Sequence, residues 1–327
     1  MDFILHWIVV FLSVLAAFIP MVAYLFLIWW MDRYYRQPIW LVASVFLWGA
    51  IGAIIIGVAG SRFFTFPVSA IFGERVSSAF GSIIVAPIVE EIAKGCILFI
   101  AMLRADSDGP ADGIVLGAAA GLGFGMTENY LYFTQVYDAS GFMAWASNVY
   151  VRTLYSAVVH CVCSATLGMA IGVARNTIGP NRVRVVIAGL LLPIAIHSFW
   201  NISMVVGPKL HSAIIIQIAF TAMPILVLLL LIIYQYFLYR EGEWIRTELN
   251  EEAIEGTISP STVNAIVSPW KRFRNKDARS KQYVATAIKL AWKRHHWKRA
   301  VGFKKERLRL ALVELRQSLK ECHSYKQ

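Results

Sequence analysis

The stretch GIVLGAAAGLGFGMTENYLYF, residues 113–133, carries no charged side chain before Glu128 and is long enough to cross the apolar core of a bilayer. Glycine recurs in it at every fourth position, at Gly113, Gly117, Gly121 and Gly125. One face of a helix formed by this stretch therefore consists of small residues, which allows a second membrane helix to approach closely. The stretch predicts a transmembrane helix that packs among other helices.

The composition of the whole chain is that of a membrane protein. The 327 residues are 58% hydrophobic, and the mean hydropathy is +0.59. A soluble domain of this length is less apolar and does not contain repeated uncharged runs of about 20 residues. The cysteines, Cys96, Cys161, Cys163 and Cys322, have neither metal-motif spacing nor the pattern of a disulfide framework. We therefore predict an all-α polytopic membrane protein.

Seven segments are long enough to cross a bilayer. They are residues 3–30, 39–60, 82–103, 113–137, 149–173, 185–206 and 213–239. Lysine and arginine are concentrated in alternate loops and in the C-terminal tail, which predicts an N-out/C-in orientation. The first apolar run extends to Trp30 and is too long for a cleavable signal peptide.

The predicted outer loop between the second and third spans, residues 61–81, is unusually apolar. It contains five phenylalanines among its aliphatic residues. A helix lying in the outer membrane interface is the simplest interpretation. The alternatives are a gate beside a lateral entrance and a short eighth membrane element.

The charge distribution separates a membrane domain from a tail. Residues 1–239 contain 11 basic and 10 acidic side chains, whereas residues 240–327 contain 20 basic and 10 acidic ones. We predict a transmembrane domain over 1–239, with its polar motifs within 82–206, and a basic, helical cytoplasmic tail over 240–327. The tail is expected to contact an anionic lipid surface or a protein partner. Nucleic-acid binding is not expected, because the tail contains no recognition motif.

Charged side chains inside the spans require a partner or a chemical task, since each costs about 3 kcal/mol on insertion scales. In the stretch APIVEEIAKGCILFI, residues 86–100, Lys94 is within reach of both Glu90 and Glu91. A neutral ion pair that holds helices together would account for the lysine and one glutamate. The second glutamate then has no cation on its own helix.

Polar side chains recur on the next three spans. They are Glu128 and Asn129 on the fourth, Arg152 and His160 on the fifth, and His197 and Asn201 on the sixth. Counted from the predicted outer boundaries, the glutamates and histidines lie roughly 12–17 Å deep. Helices that run in alternating directions thus place their rare polar groups in one layer, which we interpret as one site.

Two acids and two histidines in a restricted cavity suit general acid–base chemistry. A carboxylate in a partly dry site is a workable base for activating water, and histidine and asparagine donors can stabilise an oxyanion. The same side chains could bind Zn²⁺ and leave a position for water. A serine nucleophile has candidates in Ser156 and Ser164, but no motif supports either.

These residues resemble the motifs of the PrsW family of intramembrane proteases, a group related to CAAX-prenyl endopeptidases and bacteriocin-processing enzymes. The pattern is Glu90-Glu91-x-x-Lys94, Phe124-x-x-x-Glu128-Asn129, a histidine on the next span and His197-x-x-x-Asn201. It covers about residues 82–206 and leaves the first span, the last span and the tail uncovered. At the position where the prenyl endopeptidases have a histidine, this chain has Glu128, and PrsW members also have a glutamate there.

The resemblance implies a catalytic and a supporting set of residues. The catalytic set is Glu90, Glu91, Glu128, His160, His197 and Asn201. The supporting set is Lys94, Asn129 and Arg152. Glu90 or Glu91 would activate water, assisted by Glu128 and His160. His197 and Asn201 would form the oxyanion hole. Candidate ligands for a divalent metal such as zinc are Glu91, Glu128, His160 and His197.

The resemblance also implies a multi-pass enzyme of the bacterial cytoplasmic membrane that acts in regulated proteolysis and stress signalling. Its substrate would be an anti-sigma factor or a similar single-span protein, cut near the extracytoplasmic side. The alternative from another class is a proton-coupled transporter that uses the same acids and histidines. It requires polar groups that continue to both membrane faces, whereas the inner halves of the third and fourth spans are apolar. A scaffold without catalytic activity is a third possibility.

Overall fold

The computed structural model describes residues 2–34, 36–103, 109–177, 179–268 and 277–324. These residues form helices and no strand. The helices are α1 Asp2–Met31, α2 Ile39–Phe72, α3 Glu74–Phe80, α4 Ala86–Met102, α5 Pro110–Val151, α6 Ala157–Arg175, α7 Asn181–Lys209, α8 Ala213–Ile254, α9 Pro260–Val267, α10 Ala278–Arg299 and α11 Gly302–Ser324. Cys322, named in the sequence analysis above, lies outside the residues whose side chains are described.

Five continuous helices are long and apolar enough to cross a membrane, so the chain is a multi-pass membrane protein. They are Phe3–Met31, Ile39–Phe72, Pro110–Arg175, Asn181–Lys209 and Ala213–Ile254. The third of these contains the predicted fourth and fifth spans. It is interrupted at Gly141, whose φ of 77° is a left-handed conformation that glycine adopts readily.

The predicted third span corresponds to α4, which is not among the five long apolar helices. It has 17 residues and includes Glu90, Glu91 and Lys94. Seven spans in an N-out/C-in orientation therefore stay a prediction.

The predicted second span, residues 39–60, lies within a longer helix. The helix α2 continues to Phe72 and ends at Gly73, where φ is 80°. At Gly60 a side chain would overlap Val89, so this glycine serves helix packing and does not end the helix. Residues 61–81 are thus helical, and Phe63 and Phe66 are exposed on their surface.

The glycine face of α5 packs directly on the backbone of α6. A methyl group at Gly113, Gly117 or Gly121 would overlap a carbonyl oxygen of α6. Helix α5 is buried from Ala111 to Gly125, as expected for a small-residue face in a close helix pair. This contact brings His160 on α6 next to the polar end of α5.

Replacement of Gly117 with alanine should destabilise this helix pair, because the new methyl group would overlap the Ser164 carbonyl oxygen. Overpacking of this kind costs roughly 1–3 kcal/mol. Ala195→Val adds volume at an exposed position of α7 and is the control. The midpoint of thermal aggregation in detergent should fall for Gly117→Ala alone. Equal midpoints for the two variants would contradict the close contact.

The chain divides into two compact units. The first comprises residues 1–31 and 37–234, and the second comprises residues 32–36 and 235–327. The second unit has its own apolar core, in which Ile245 and Leu249 of α8 are fully buried. Ala287 and Ala291 of α10 and Leu319 of α11 complete the centre of that core. The tail is therefore a folded helical unit.

One arginine of the second unit is held in a ring of carboxylates. Arg294 is 7% exposed. Its guanidinium contacts four glutamates that lie on one side of α8 and just beyond its end, Glu248, Glu251, Glu252 and Glu255. Because a buried charge is stable only when it is paired, these contacts fix α10 against α8.

Arg294→Met should unfold the second unit in part, because Glu248 and Glu252 lose their buried cation and keep only the more exposed Lys298 and Arg316. Breaking a buried ion pair costs about 3–5 kcal/mol. Lys289→Met, at an exposed position of the same helix, is the control. Digestion of membranes with proteinase K should remove the tail faster only in the first variant. Equal digestion rates would show that the carboxylate ring does not stabilise the unit.

Candidate active site

The centre of the site is a buried ion pair on α4. Lys94 Nζ lies 2.6 Å from Glu91 Oε1, and both side chains are fully buried. Each partner also reaches a histidine of another helix: Lys94 Nζ lies 3.1 Å from His160 Nδ1, and Glu91 Oε1 lies 2.9 Å from His197 Nδ1. One ion pair thus connects α4 with α6 and α7.

A second ion pair fixes the carboxylate of α5. Arg152 donates to Glu128 Oε2 over 2.6 Å and to Asn129 Oδ1 over 3.1 Å. The guanidinium also lies over the ring of Tyr132, 3.8 Å from its centroid. The Glu128 oxygen that pairs with Arg152 is also 2.8 Å from His160 Nε2. Glu128 therefore has a fixed position beside His160.

The two histidine rings are neighbours. The ring centroids of His160 and His197 lie 4.8 Å apart with an interplanar angle of 89°. Phe124 covers the other side of His160, with 5.0 Å between ring centroids. The structure thus brings together the four polar side chains that the sequence predicts to share one layer.

Glu90 differs from the other acids in the site. Its side chain is 12% exposed, whereas that of Glu91 is fully buried. Glu90 Oε2 lies 3.9 Å from His197 Nε2 and has no hydrogen-bond partner among the described residues. Glu90 is thus the adjacent glutamate that solvent can reach.

The formal charges of the site leave one carboxylate unneutralised. Lys94 pairs with Glu91 and Arg152 pairs with Glu128. Within the described residues no lysine or arginine pairs with Glu90. A buried unpaired carboxylate is unfavourable unless a proton or a cation neutralises it. Glu90 is therefore the position where the site can accept a positive charge.

The donors around Glu90 fit a divalent metal. One ligand atom each from Glu90, His160 and His197 lies within 4.8 Å of the others. Two histidines with one glutamate are a donor set typical of catalytic zinc. Glu91 accepts the Nδ1 hydrogen of His197, which leaves His197 Nε2 unprotonated, as in a carboxylate–histidine–metal arrangement. The set contains Glu90 in place of the predicted ligands Glu91 and Glu128.

His160 has to change its protonation to become a ligand at Nε2. The Lys94 ammonium can only donate, so His160 Nδ1 accepts and His160 Nε2 carries the hydrogen toward Glu128. Metal ligands bind in the deprotonated form. The proton would therefore have to leave Nε2, and the Glu128 carboxylate is the adjacent acceptor.

Asn201 bonds to the backbone and not to another predicted side chain of the site. Its Nδ2 donates to the backbone oxygen of Ser82 over 2.8 Å. This bond uses one of its two amide hydrogens and leaves one for another acceptor. His197 Nδ1 is already engaged with Glu91, so an oxyanion hole formed by His197 and Asn201 stays a prediction.

Two residues that contact the site, Gly57 and Tyr132, were not predicted from the sequence. A side chain at Gly57 of α2 would meet the Glu90 methylene at 3.2 Å, so this glycine leaves space for the Glu90 side chain. Tyr132 stacks on Arg152. The signal for Tyr132 is its position one turn after Glu128, on the same helix face. Gly57 has only the general signal of glycines in an apolar helix.

Polar acid–base groups enclosed by apolar helices, with one reachable carboxylate, are typical of intramembrane proteases. A model of the PrsW family, described as intramembrane metalloproteases, matches residues 37–232, more than half of the chain. The chain therefore belongs to the PrsW family and is an intramembrane protease, a hydrolase. The proton-coupled transporter considered from the sequence is not favoured.

Characterised relatives lead to the same family. The chain is 29% identical to Protease PrsW of Shouchella clausii (strain KSM-K16) over 189 residues, which is 58% of this chain and 81% of the relative. It is 27% identical to Protease PrsW of Clostridioides difficile (strain 630) over 208 residues, or 63% and 84% of the two chains. It is 28% identical to Protease PrsW of Bacillus subtilis (strain 168) over 193 residues, or 57% and 79%. No solved structure matches the chain.

Lys94→Met should prevent folding, because it leaves Glu91 fully buried without its cation at a cost of about 3–5 kcal/mol. The double variant Glu91→Gln, Lys94→Met removes both charges and should recover folded protein. The yield of monodisperse protein after extraction measures the difference. A single variant that folds as well as the double variant would show that the pair does not determine folding.

Proposed function

We propose that this protease cleaves a single-span membrane protein, such as an anti-sigma factor, near the extracytoplasmic side of the membrane. The observation that carries the proposal is the isolation of Glu90 from lysine and arginine at the reachable side of a site with two histidines. A protease needs a group that engages water and a group that returns a proton to the leaving amine. The site has a separate carboxylate for each task.

Glu90 engages the attacking water. Its side chain is 12% exposed, and its buried Oε2 has no hydrogen-bond partner among the described residues, so this oxygen can bind a water that enters the site. Glu91 is less suited to this role, because its side chain is fully buried and its Oε1 is bound to Lys94 and His197. Lys94 keeps Glu91 ionised in a buried position, and Glu91 in turn orients the ring of His197.

Glu128 and His160 move the second proton. The bond of 2.8 Å between His160 Nε2 and Glu128 Oε2 lets a proton pass between them. Arg152 holds this carboxylate in place and balances its charge. Glu128 would pass the His160 Nε2 proton to the departing amine nitrogen, and the proton that Glu90 takes from the attacking water would return to His160 Nε2.

A divalent metal, zinc as the first candidate, is the second part of the proposal. Glu90, His160 and His197 would hold it, and because His160 Nε2 would then carry no proton, Glu128 alone would return to the amine the proton that the water loses. When bound, such an ion polarises a carbonyl and makes water more acidic. The family description and the donor set support this assignment.

Glu90→Gln should abolish cleavage while the protein still folds, because this residue is not part of either ion pair. Loss of a general acid–base group lowers the rate by about 10²–10⁴. Membrane proteomes of cells with the wild-type chain and the variant at equal abundance are compared. A single-span protein should remain full-length only in the variant.

The control for this comparison is Glu74→Gln, which makes the same chemical change at an exposed residue of α3. It should leave every substrate processed. If Glu90→Gln cells process all single-span proteins under envelope stress, Glu90 does not act in hydrolysis.

The purified chain should contain about one divalent metal ion, as expected for a catalytic site with three protein ligands. His197→Ala should remove the metal, and His6→Ala, at a partly exposed histidine of α1, should not. Mass spectrometry of the elements measures the content. A metal-free protein that stays active in chelator would contradict the metal assignment, and Glu90 would then accept the water proton directly.

A further inference from the structure

The connection between α10 and α11 forms an exposed apolar tip. Ala300 N donates to Trp297 O over 3.2 Å and ends α10. Gly302 then adopts a φ of 58°, which turns the chain into α11. Between and after these residues Val301 is 83% exposed and Phe303 is 85% exposed. Two large apolar side chains thus extend from a turn whose flanking helices are anchored in the core of the second unit.

Basic side chains surround this tip. Residues 298–309 contain six basic residues and one acidic residue. The acid, Glu306, is paired with Arg309, and Lys298 is paired with Glu248 and Glu251. Arg299 and Arg307 are exposed and have no carboxylate partner within the described part of the chain. The tip therefore presents unneutralised cations beside exposed apolar groups.

This combination matches the chemistry of an anionic lipid surface. Apolar side chains enter the boundary between headgroups and acyl chains, while arginines remain beside the phosphates. Because the chain is a membrane protein, its second unit stays close to lipid, and the tether raises the effective lipid concentration. Two apolar side chains are sufficient under that condition, although they would be few for a protein interface, which typically has a larger apolar centre.

We propose that Val301 and Phe303 insert into an anionic lipid surface, with Arg299 and Arg307 binding the phosphate groups beside them. The second unit would thus be held at the membrane by its own tip. The contact belongs to the tail and does not depend on the protease mechanism. It can hold even if Glu90 has another role.

The test uses the full chain reconstituted in vesicles. Val301→Cys is introduced together with Cys96→Ser and Cys322→Ser and labelled with an environment-sensitive fluorophore. Vesicles contain phosphatidylcholine alone or phosphatidylcholine with phosphatidylglycerol, each with and without a lipid-attached quencher. The lipid quencher should reduce the fluorescence in vesicles with phosphatidylglycerol and have little effect in those without it.

The double variant Arg299→Glu, Arg307→Glu should lower the lipid-quenched fraction at least about fivefold, since each cation near an anionic surface contributes about that factor. Lys281→Glu, Lys289→Glu makes the same charge change at exposed positions of α10 away from the tip and should preserve the quenching. Phe303→Ser should also reduce it. A label on Ser318→Cys, at an exposed position of α11 away from the tip, should stay accessible to aqueous iodide in every sample, which shows that the protection is confined to the tip.

Two results would overturn the proposal. One is a Val301 label that aqueous iodide quenches equally in both lipid mixtures. The other is lipid quenching that persists after the charges of Arg299 and Arg307 are reversed. Protection of the label only after addition of another membrane protein would assign the tip to a protein partner, which also contradicts lipid insertion.

Discussion

The fully buried ion pair between Glu91 and Lys94 is the interaction on which the membrane unit depends. Its atoms are 2.6 Å apart, and each partner extends to a histidine on a different helix. A pair without solvent gains stability from further hydrogen bonds to its partners. His160 bonds to Lys94 and His197 bonds to Glu91, so the pair fixes the positions of both rings. The same contacts that stabilise three helices therefore preorganise the site.

This constraint separates structural from chemical acids. Glu91 and Glu128 are each paired with a cation, and these pairs hold the helices and the histidine orientations. Glu128 also lies beside His160 in the proposed proton route, whereas Glu90 pairs with no lysine or arginine among the described residues and is the acid proposed to engage water. A site in which all three acids were paired would be stable but would have no group left for water. The unpaired carboxylate is thus stabilised indirectly, because the neighbouring pairs keep its surroundings polar.

The sequence predicted the convergence of the acids and histidines but not the division of their roles. Lys94 lies three residues after Glu91 and four after Glu90, so spacing alone allows either pair. Which glutamate pairs with Lys94 depends on His197, which lies on another helix and bonds to Glu91 through Nδ1. The continuity of α2 from Ile39 to Phe72 was also not predictable from composition, which indicated a span over 39–60 and a separate interfacial helix after it. Both outcomes are set by neighbouring helices and not by local preference.

The described residues contain three π-helical segments, which help to explain why sequence periodicity did not predict the helix faces around the site. They are Trp48–Ala53, Gly81–Val85 and Arg152–Ser156. A π-helical turn inserts a residue relative to the regular α-helical period and rotates the side chains that follow. The last segment begins at Arg152, which pairs with Glu128, and the middle one contains Ser82, whose carbonyl oxygen binds Asn201. A regular period of 3.6 residues would place these groups on different faces. Irregular turns next to the site therefore set its geometry, while the regular glycine face of α5 sets the distance between the helices that carry it.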